Sequence, residues 1–220
     1  MKNFLSRLQT QGLLTTACLL GAMAVSGCSV LRPSSPVQAH FYALQSNPTP
    51  LTPPLGIVAG RSLPTLIVNP PQAAPGFDSA RIIFVRSDNQ LEYFAHSEWV
   101  EPPARMLGPL LVATIENTNV FGAVVLMPAS ASGELRLNTE VVRLQHNFKT
   151  QPSRVQFALR VHLLDDRTRK VLHWREFQAE TVATSDTPQG GVTAANTAIQ
   201  KVLTEVAVFL STRATIPPHE

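Results

Sequence analysis

The chain has 220 residues, of which 44% are hydrophobic, 6% aromatic and 15% charged, with a formal net charge of +3. That length suits one ordinary domain with a tail and excludes two large domains, and the apolar share excludes a disordered or collagenous chain. The charge is unevenly placed: Lys2 and Arg7 stand near the start, and no Asp or Glu precedes Asp78.

Residues 12–25 form an uncharged, largely apolar run behind those two cations. At about 14 residues it fits the core of a secretory signal peptide and is short for a spanning helix, which needs about 20. The run ends in Val25-Ser26-Gly27-Cys28, which resembles the lipobox of bacterial lipoproteins, where an aliphatic residue and two small ones precede a cysteine. Small residues admit the peptide to a peptidase site, and the Cys28 thiol is the group that takes a diacylglyceryl thioether. The expected processing is cleavage between Gly27 and Cys28, removal of residues 1–27, and acylation of Cys28, including an amide-linked chain such as palmitate. Several acyl chains at about 0.8 kcal/mol per buried methylene make a stable anchor in one leaflet.

Three consequences follow from that processing. Loss of Lys2 and Arg7 takes two of the 18 cations and leaves the rest nearly balanced against 15 acids, so the basic character is no argument for nucleic acid. Cys18 lies in the removed segment, so no thiol remains for a disulfide, a thiolate metal site or a cysteine nucleophile. Ser29, not Asp, follows Cys28. By resemblance to enterobacterial sorting this favours the periplasmic face of the outer membrane over that of the inner membrane.

Ten of the 18 prolines fall between Pro33 and Pro75, which marks residues 28–60 as an extended, Pro-rich tether. The run Ala39-His-Phe-Tyr-Ala-Leu44 interrupts it, and a short strand is expected near 41–45. The domain proper is expected over 61–212, followed by a tail at 213–220. Within it, 63–69, 81–86 and 90–96 are β-branched and aromatic runs, the last two forming a hairpin about Ser87-Asp88-Asn89. Pro102-Pro103 opens a helix whose stripe is Leu107, Leu110, Leu111, Thr114 and Ile115, ending near Asn117-Thr-Asn119. A strand at 120–127 precedes a three-strand antiparallel meander at 134–148, 153–164 and 170–182. In its middle strand Val155, Phe157, Leu159, Val161 and Leu163 share one face, and Gln156, Arg160 and His162 the other. A closing helix carries Ala195, Ile199, Val202, Leu203, Val206 and Leu210 on one stripe. The expected fold is α/β of the α+β type: a two-layer sandwich with a mixed, largely antiparallel sheet and two amphipathic helices on one face.

The cysteine expected to be acylated, the early Phe41-Tyr-Ala-Leu44, the block Leu91-Glu-Tyr-Phe-Ala-His-Ser-Glu-Trp99 leading into Pro102-Pro-Ala-Arg-Met-Leu107, and the Gly-rich entry to an amphipathic last helix form one pattern. It resembles the ABC-type transport auxiliary lipoprotein family of PqiC-like intermembrane transport lipoproteins, over about residues 40–211. The resemblance implies a lipoprotein that works with an ABC permease and ATPase and with a protein carrying a mammalian-cell-entry (MCE) domain. Such a system moves lipids or other hydrophobic molecules between the inner and outer membranes. A homo-oligomer is compatible with the family. The alternative is an envelope-assembly or cell-wall-synthase regulatory lipoprotein of similar fold.

Catalytic signatures are absent from the sequence: it has no Gly-x-Ser-x-Gly, no phosphate-binding Gly-Lys-Ser/Thr loop, no His-Glu-x-x-His and no Gly-x-Gly-x-x-Gly. No enzyme activity, cofactor or metal is therefore expected. His162 and His173 would have to face each other across a hairpin to hold a metal, and solvated strand histidines are the simpler reading. Asp165-Asp166 beside Arg167, Arg169 and Lys170 reads as a solvated hairpin tip, and Gly190-Gly191 as the flexible entry to the last helix. Tyr93, Phe94 and Trp99 are the candidate contact residues for a partner.

Overall fold

A computed structural model of the protein describes residues 38–45 and 63–213. Gly27, Cys28, the rest of the expected leader, most of the Pro-rich stretch and the residues from 214 onward lie outside the described residues. Every element described below belongs to one compact unit, Ala39–Glu220. That unit takes in the short strand expected near 41–45, ahead of the boundary expected at 61.

In chain order the elements are β1 (His40–Tyr42), β2 (Thr65–Val68), β3 (Gln72–Ala73), β4 (Arg81–Val85), β5 (Glu92–Trp99), α1 (Pro103–Glu116), β6 (Ala123–Leu126), β7 (Leu135–Asn147), β8 (Arg154–Asp165), β9 (Val171–Val182) and α2 (Pro188–Ser211). The strands form one mixed sheet with β7 as its spine. One edge of β7 pairs antiparallel with β8 along its length, and β8 pairs antiparallel with β9, as the meander requires. The other edge is shared: β2 runs parallel to Leu135–Leu137, β3 to Glu140 and Val141, and β4 to His146 and Asn147. Two wings extend from there, β2 to β6 at one end and β4 to β5 to β1 at the other. Antiparallel pairing joins the three longest strands, whereas each parallel pairing spans only two to four residues.

A spine that long must keep one face buried. Leu135, Leu137, Thr139 and Val141 face the core, and an irregularity in pairing between Val141 and Arg143 then inserts one residue. A bulge changes the phase of side-chain alternation, so Leu144 and His146 become the next inward residues. In β8 the expected inward set, Val155 through Leu163 at every second position, is buried. The hairpin of β4 and β5 is antiparallel, and Asn89 in its turn takes the left-handed conformation that Asn tolerates (φ 63°).

Both helices pack on each other and on the inward face of the sheet, giving the expected two layers. In α1, Pro103 sits in the first turn, where its missing N–H costs nothing. Leu107, Leu111, Thr114 and Ile115 are buried and Leu110 is half-buried. In α2, Thr187 caps the helix by accepting from the Gly190 amide at 3.2 Å, and the whole predicted stripe from Ala195 to Leu210 is buried. Phe157, Leu159 and Leu163 beneath α2 are fully enclosed, each contributing about 1.5–3 kcal/mol of apolar burial.

Gly190 and Gly191 are not a flexible entry. They form the first turn of α2 and are buried. A β-carbon on Gly191 would lie 2.6 Å from Nδ1 of His146, and one on Gly190 would collide with the Ser185 backbone. These glycines are needed because the helix start lies directly against β7 and its own preceding turn.

Candidate partner-binding surface

The three aromatic residues expected to form a contact surface are separated by the fold. Trp99 is 3% exposed and belongs to the core, so it is withdrawn as a contact residue. Its place at the inward end of β5, under α2, explains the burial. Phe94 is half-buried in a cluster with Phe84 (4.7 Å between centroids) and Phe148 (6.4 Å). Tyr93, on the opposite face of β5, is 51% exposed, with the Arg81 guanidinium 4.0 Å over its ring. Of the three, Tyr93 alone is presented to a partner.

A better surface lies where β1 meets α2. Among the described residues β1 pairs with β5 alone, so its outer edge carries unpaired backbone groups, which is how sheets accept a further extended strand. Beside that edge runs an open groove of about 700 Å³, bordered by Phe41, Tyr42, Val100, Thr193, Asn196 and Lys201. Phe41 is 63% exposed and Val100 53%, an unusual cost for two apolar side chains standing together. The strand is firmly seated: the Val100 amide donates to the Tyr42 carbonyl at 2.8 Å, and the Gln45 amide donates to Asn196 Oδ1 at 2.7 Å. Sequence reasoning found this strand but not the groove, because α2 is about 150 residues downstream.

Two groupings resemble chemistry and are explained by structure. His146, Ser153 and Asp186 converge: His146 Nε2 lies 2.9 Å from Ser153 Oγ, which in turn donates to Asp186. In a nucleophilic triad the carboxylate orients the imidazole. Here it holds the hydroxyl, and His146 Nδ1 is buried without a partner against Gly191. Since Ser153 donates to Asp186, the imidazole must donate from Nε2, leaving Nδ1 as an unprotonated acceptor. A proton added there would be buried with nothing to receive it, and burial accordingly holds the His146 pKa below its ordinary 6.5, with Asp186 opposing. The group is a pin joining β7, β8 and α2.

The second is the tip between β8 and β9, where Asp165 and Asp166 are not solvated. The Asp165 carboxylate accepts from the Thr168 amide at 2.7 Å, and Asp166 binds Arg136 on both oxygens, with Arg169 at 3.2 Å. The Arg136 hydrogen bond holds the Asp166 carboxyl below the usual carboxylate range, against the opposing effect of burial. The expectation of a solvated tip overlooked Arg136 because it lies on β7, 30 residues upstream. His162 and His173 do not face each other either. The register places His162 opposite Trp174 and His173 opposite Leu163, so the two imidazoles fall on opposite faces of the sheet. Among the described residues no three His, Cys, Asp or Glu side chains group to hold a metal, and no helix is long and apolar enough to cross a membrane.

The fold has counterparts among solved structures. The chain is similar to protein XCC0632 from Xanthomonas campestris, of the family DUF330, at 24% identity and a TM-score of 0.65, covering 80% of this chain and 97% of that one. It is also similar to an uncharacterized protein at 13% identity and a TM-score of 0.59, covering 81% and 99%. At these identities the likeness is one of fold. No curated protein matches the sequence significantly. The family model described as the ABC-type transport auxiliary lipoprotein component matches residues 42–207, from the end of β1 into the last turns of α2. The chain therefore belongs to the ABC-type transport auxiliary lipoprotein family.

Proposed function

We propose that this protein is acylated at Cys28 after cleavage behind Gly27 and is held on the periplasmic face of the outer membrane. There it serves as the auxiliary component of an MCE-type ABC transport system that moves lipids or other hydrophobic molecules between the inner and outer membranes. Family membership across residues 42–207 is the observation that carries this reading. The lipobox-like Val25-Ser-Gly-Cys28 supports the anchor. The exposed edge of β1, with Phe41 and Val100 beside the α2 groove, is the surface on which the MCE-domain protein docks.

The geometry favours docking over carriage of lipid inside the domain. The apolar cavity between Trp99, Val155 and Ala195 holds about 10 Å³, room for a single water at most. The twelve residues between Cys28 and Phe41 reach roughly 40 Å when fully extended, so β1 stays near the anchoring leaflet.

A photo-crosslinking residue at Phe41, in cells that express the transporter, is expected to capture the MCE-domain protein, and one at exposed Val208 on α2 is not. Cys28→Ala is expected to leave an unprocessed chain that incorporates no labelled fatty acid. Lipid on that variant would overturn the anchor, and failure to recover an MCE-domain protein from Phe41 would overturn the docking.

A further inference from the structure

The face of the sheet turned away from the helices carries an open cavity, largely apolar in its lining surface and bordered by a few polar side chains, that the docking function does not use. It measures about 510 Å³, within the range of small-molecule sites, and is bordered by Asn69, Pro70, Gln72, Asn138, Glu140 and His162. It exists because Pro70-Pro71 carries the chain away from β7 between β2 and β3.

Its polar groups are oriented by a relay. Arg136 can only donate, so the atom of Asn69 that faces its Nη1 at 2.6 Å is the carbonyl oxygen. The Asn69 amide nitrogen then donates to Asn138 Oδ1 at 2.7 Å. The Asn138 amide nitrogen is thereby left with two protons and no acceptor among the described residues. Two residues along the same strand, Glu140 gives one carboxylate oxygen to Arg160 at 2.8 Å and keeps the other unfilled. A donor and an acceptor are thus presented from neighbouring outward positions of one strand, whose Cα atoms stand roughly 7 Å apart.

The rest of the rim is ring-shaped and flat. Pro70 stands on one side and His162 on the other, and the imidazole is nearly parallel to the indole of Trp174 (24°, centroids 6.3 Å apart). Trp174 is 63% exposed. Glu140 is the single ionised side chain among the described residues that border the cavity, and Arg160 neutralises it, so the rim offers no net positive charge to hold a phosphorylated ligand.

We propose that this cavity binds a neutral N-acetylated sugar as part of an oligosaccharide. An acetamido group has its N–H and C=O on opposite sides, so it spans the gap by donating to Glu140 and accepting from Asn138. The apolar face of a sugar ring packs against His162, with Trp174 extending the rim. The inference stands apart from lipid anchorage and from docking at β1.

The test uses the full chain and its two tryptophans. Trp99 is enclosed, so a ligand at the cavity reports through Trp174. Titration with the trisaccharide of N-acetylglucosamine is expected to give a saturable change in emission, matched by calorimetry, with a dissociation constant of about 1 mM or tighter. Asn138→Ala and Asn138→Leu should each weaken it about tenfold while the melting temperature stays within normal surface variation. Absence of saturable binding by both methods would overturn the proposal. So would unchanged affinity in both variants, or tighter binding of glucosamine 6-phosphate or of an acetylated dipeptide amide, which would assign the cavity to an anion or a peptide.

Discussion

The two ends of β7 each carry a polar network, and they have opposite fates. At the C-terminal end, His146 points inward, is closed over by Gly191 of α2, and spends its one donor on Ser153. At the N-terminal end, Arg136 points outward and is neutralised by Asp166, and its relay through Asn69 ends on an amide with unused donors beside a cavity. The bulge near Val142 puts the two ends on opposite faces, since without its change of phase His146 would face outward as Arg136 does. What then differs is cover: among the described residues α2 lies on the inward face and no element lies on the outward one. A buried network holds elements together and stays closed, whereas an uncovered one fixes its own geometry and leaves valences for a ligand.

Three experiments sharpen that contrast, in falling order of effect. The largest concerns cover. Gly191→Ala puts a β-carbon against an imidazole held from its other side by Ser153, and is expected to cost about 3 kcal/mol in chemical denaturation, at the upper end of overpacking. A loss under about 1 kcal/mol would mean that α2 is not closely seated on His146.

The second compares two arginines on the outward face. Arg136→Met takes two hydrogen bonds from Asp166, whose side chain is 10% exposed, leaves it the exposed Arg169 at 3.2 Å, and is expected to cost about 2 kcal/mol. Arg160→Met breaks the ion pairs to Glu140 and Glu176, which are about one-third exposed, and is expected to cost under about 1 kcal/mol after screening by solvent. Equal losses would show that the Arg136 network is no more than another surface pair.

The smallest effect is on acid stability. The folded His146 pKa lies below 6.5, the ordinary value that the unfolded chain retains, so the unfolded chain takes up this proton first. Its contribution is therefore fully present above about pH 6.5 and is lost as pH falls through the lower folded value. Denaturation midpoints followed downward from pH 7 should decline in the wild type and decline less in His146→Gln. Parallel slopes would place the acid sensitivity elsewhere.

Much of the fold was legible along the chain because its signals are local. Pro102-Pro103 and the stripe from Leu107 to Ile115 mark α1, the alternation from Val155 to Leu163 marks β8, and the stripe from Ala195 to Leu210 marks α2; each depends only on the period of its own element. Trp99 misled because an aromatic residue at a strand end is the same letter whether it faces a helix or water. Whether His162 and His173 face each other is not legible along the chain, because a shift of one residue in register sends a side chain to the other face, and a bulge near Leu164 decides that register.

By itself the sequence determined the element types, the two-layer arrangement, the near-neutral charge after residue 27 and the family pattern, since periodicity, caps and composition are properties of neighbouring residues. Only the tertiary structure decided that β7 is shared by β2, β3 and β4, that His146, Ser153 and Asp186 meet under Gly191, that Phe41 borders a groove made by α2, and that Arg136 orients Asn138 beside an open cavity. Those contacts join residues far apart in the chain, and which of them form depends on parallel pairing and helix placement that no local pattern encodes.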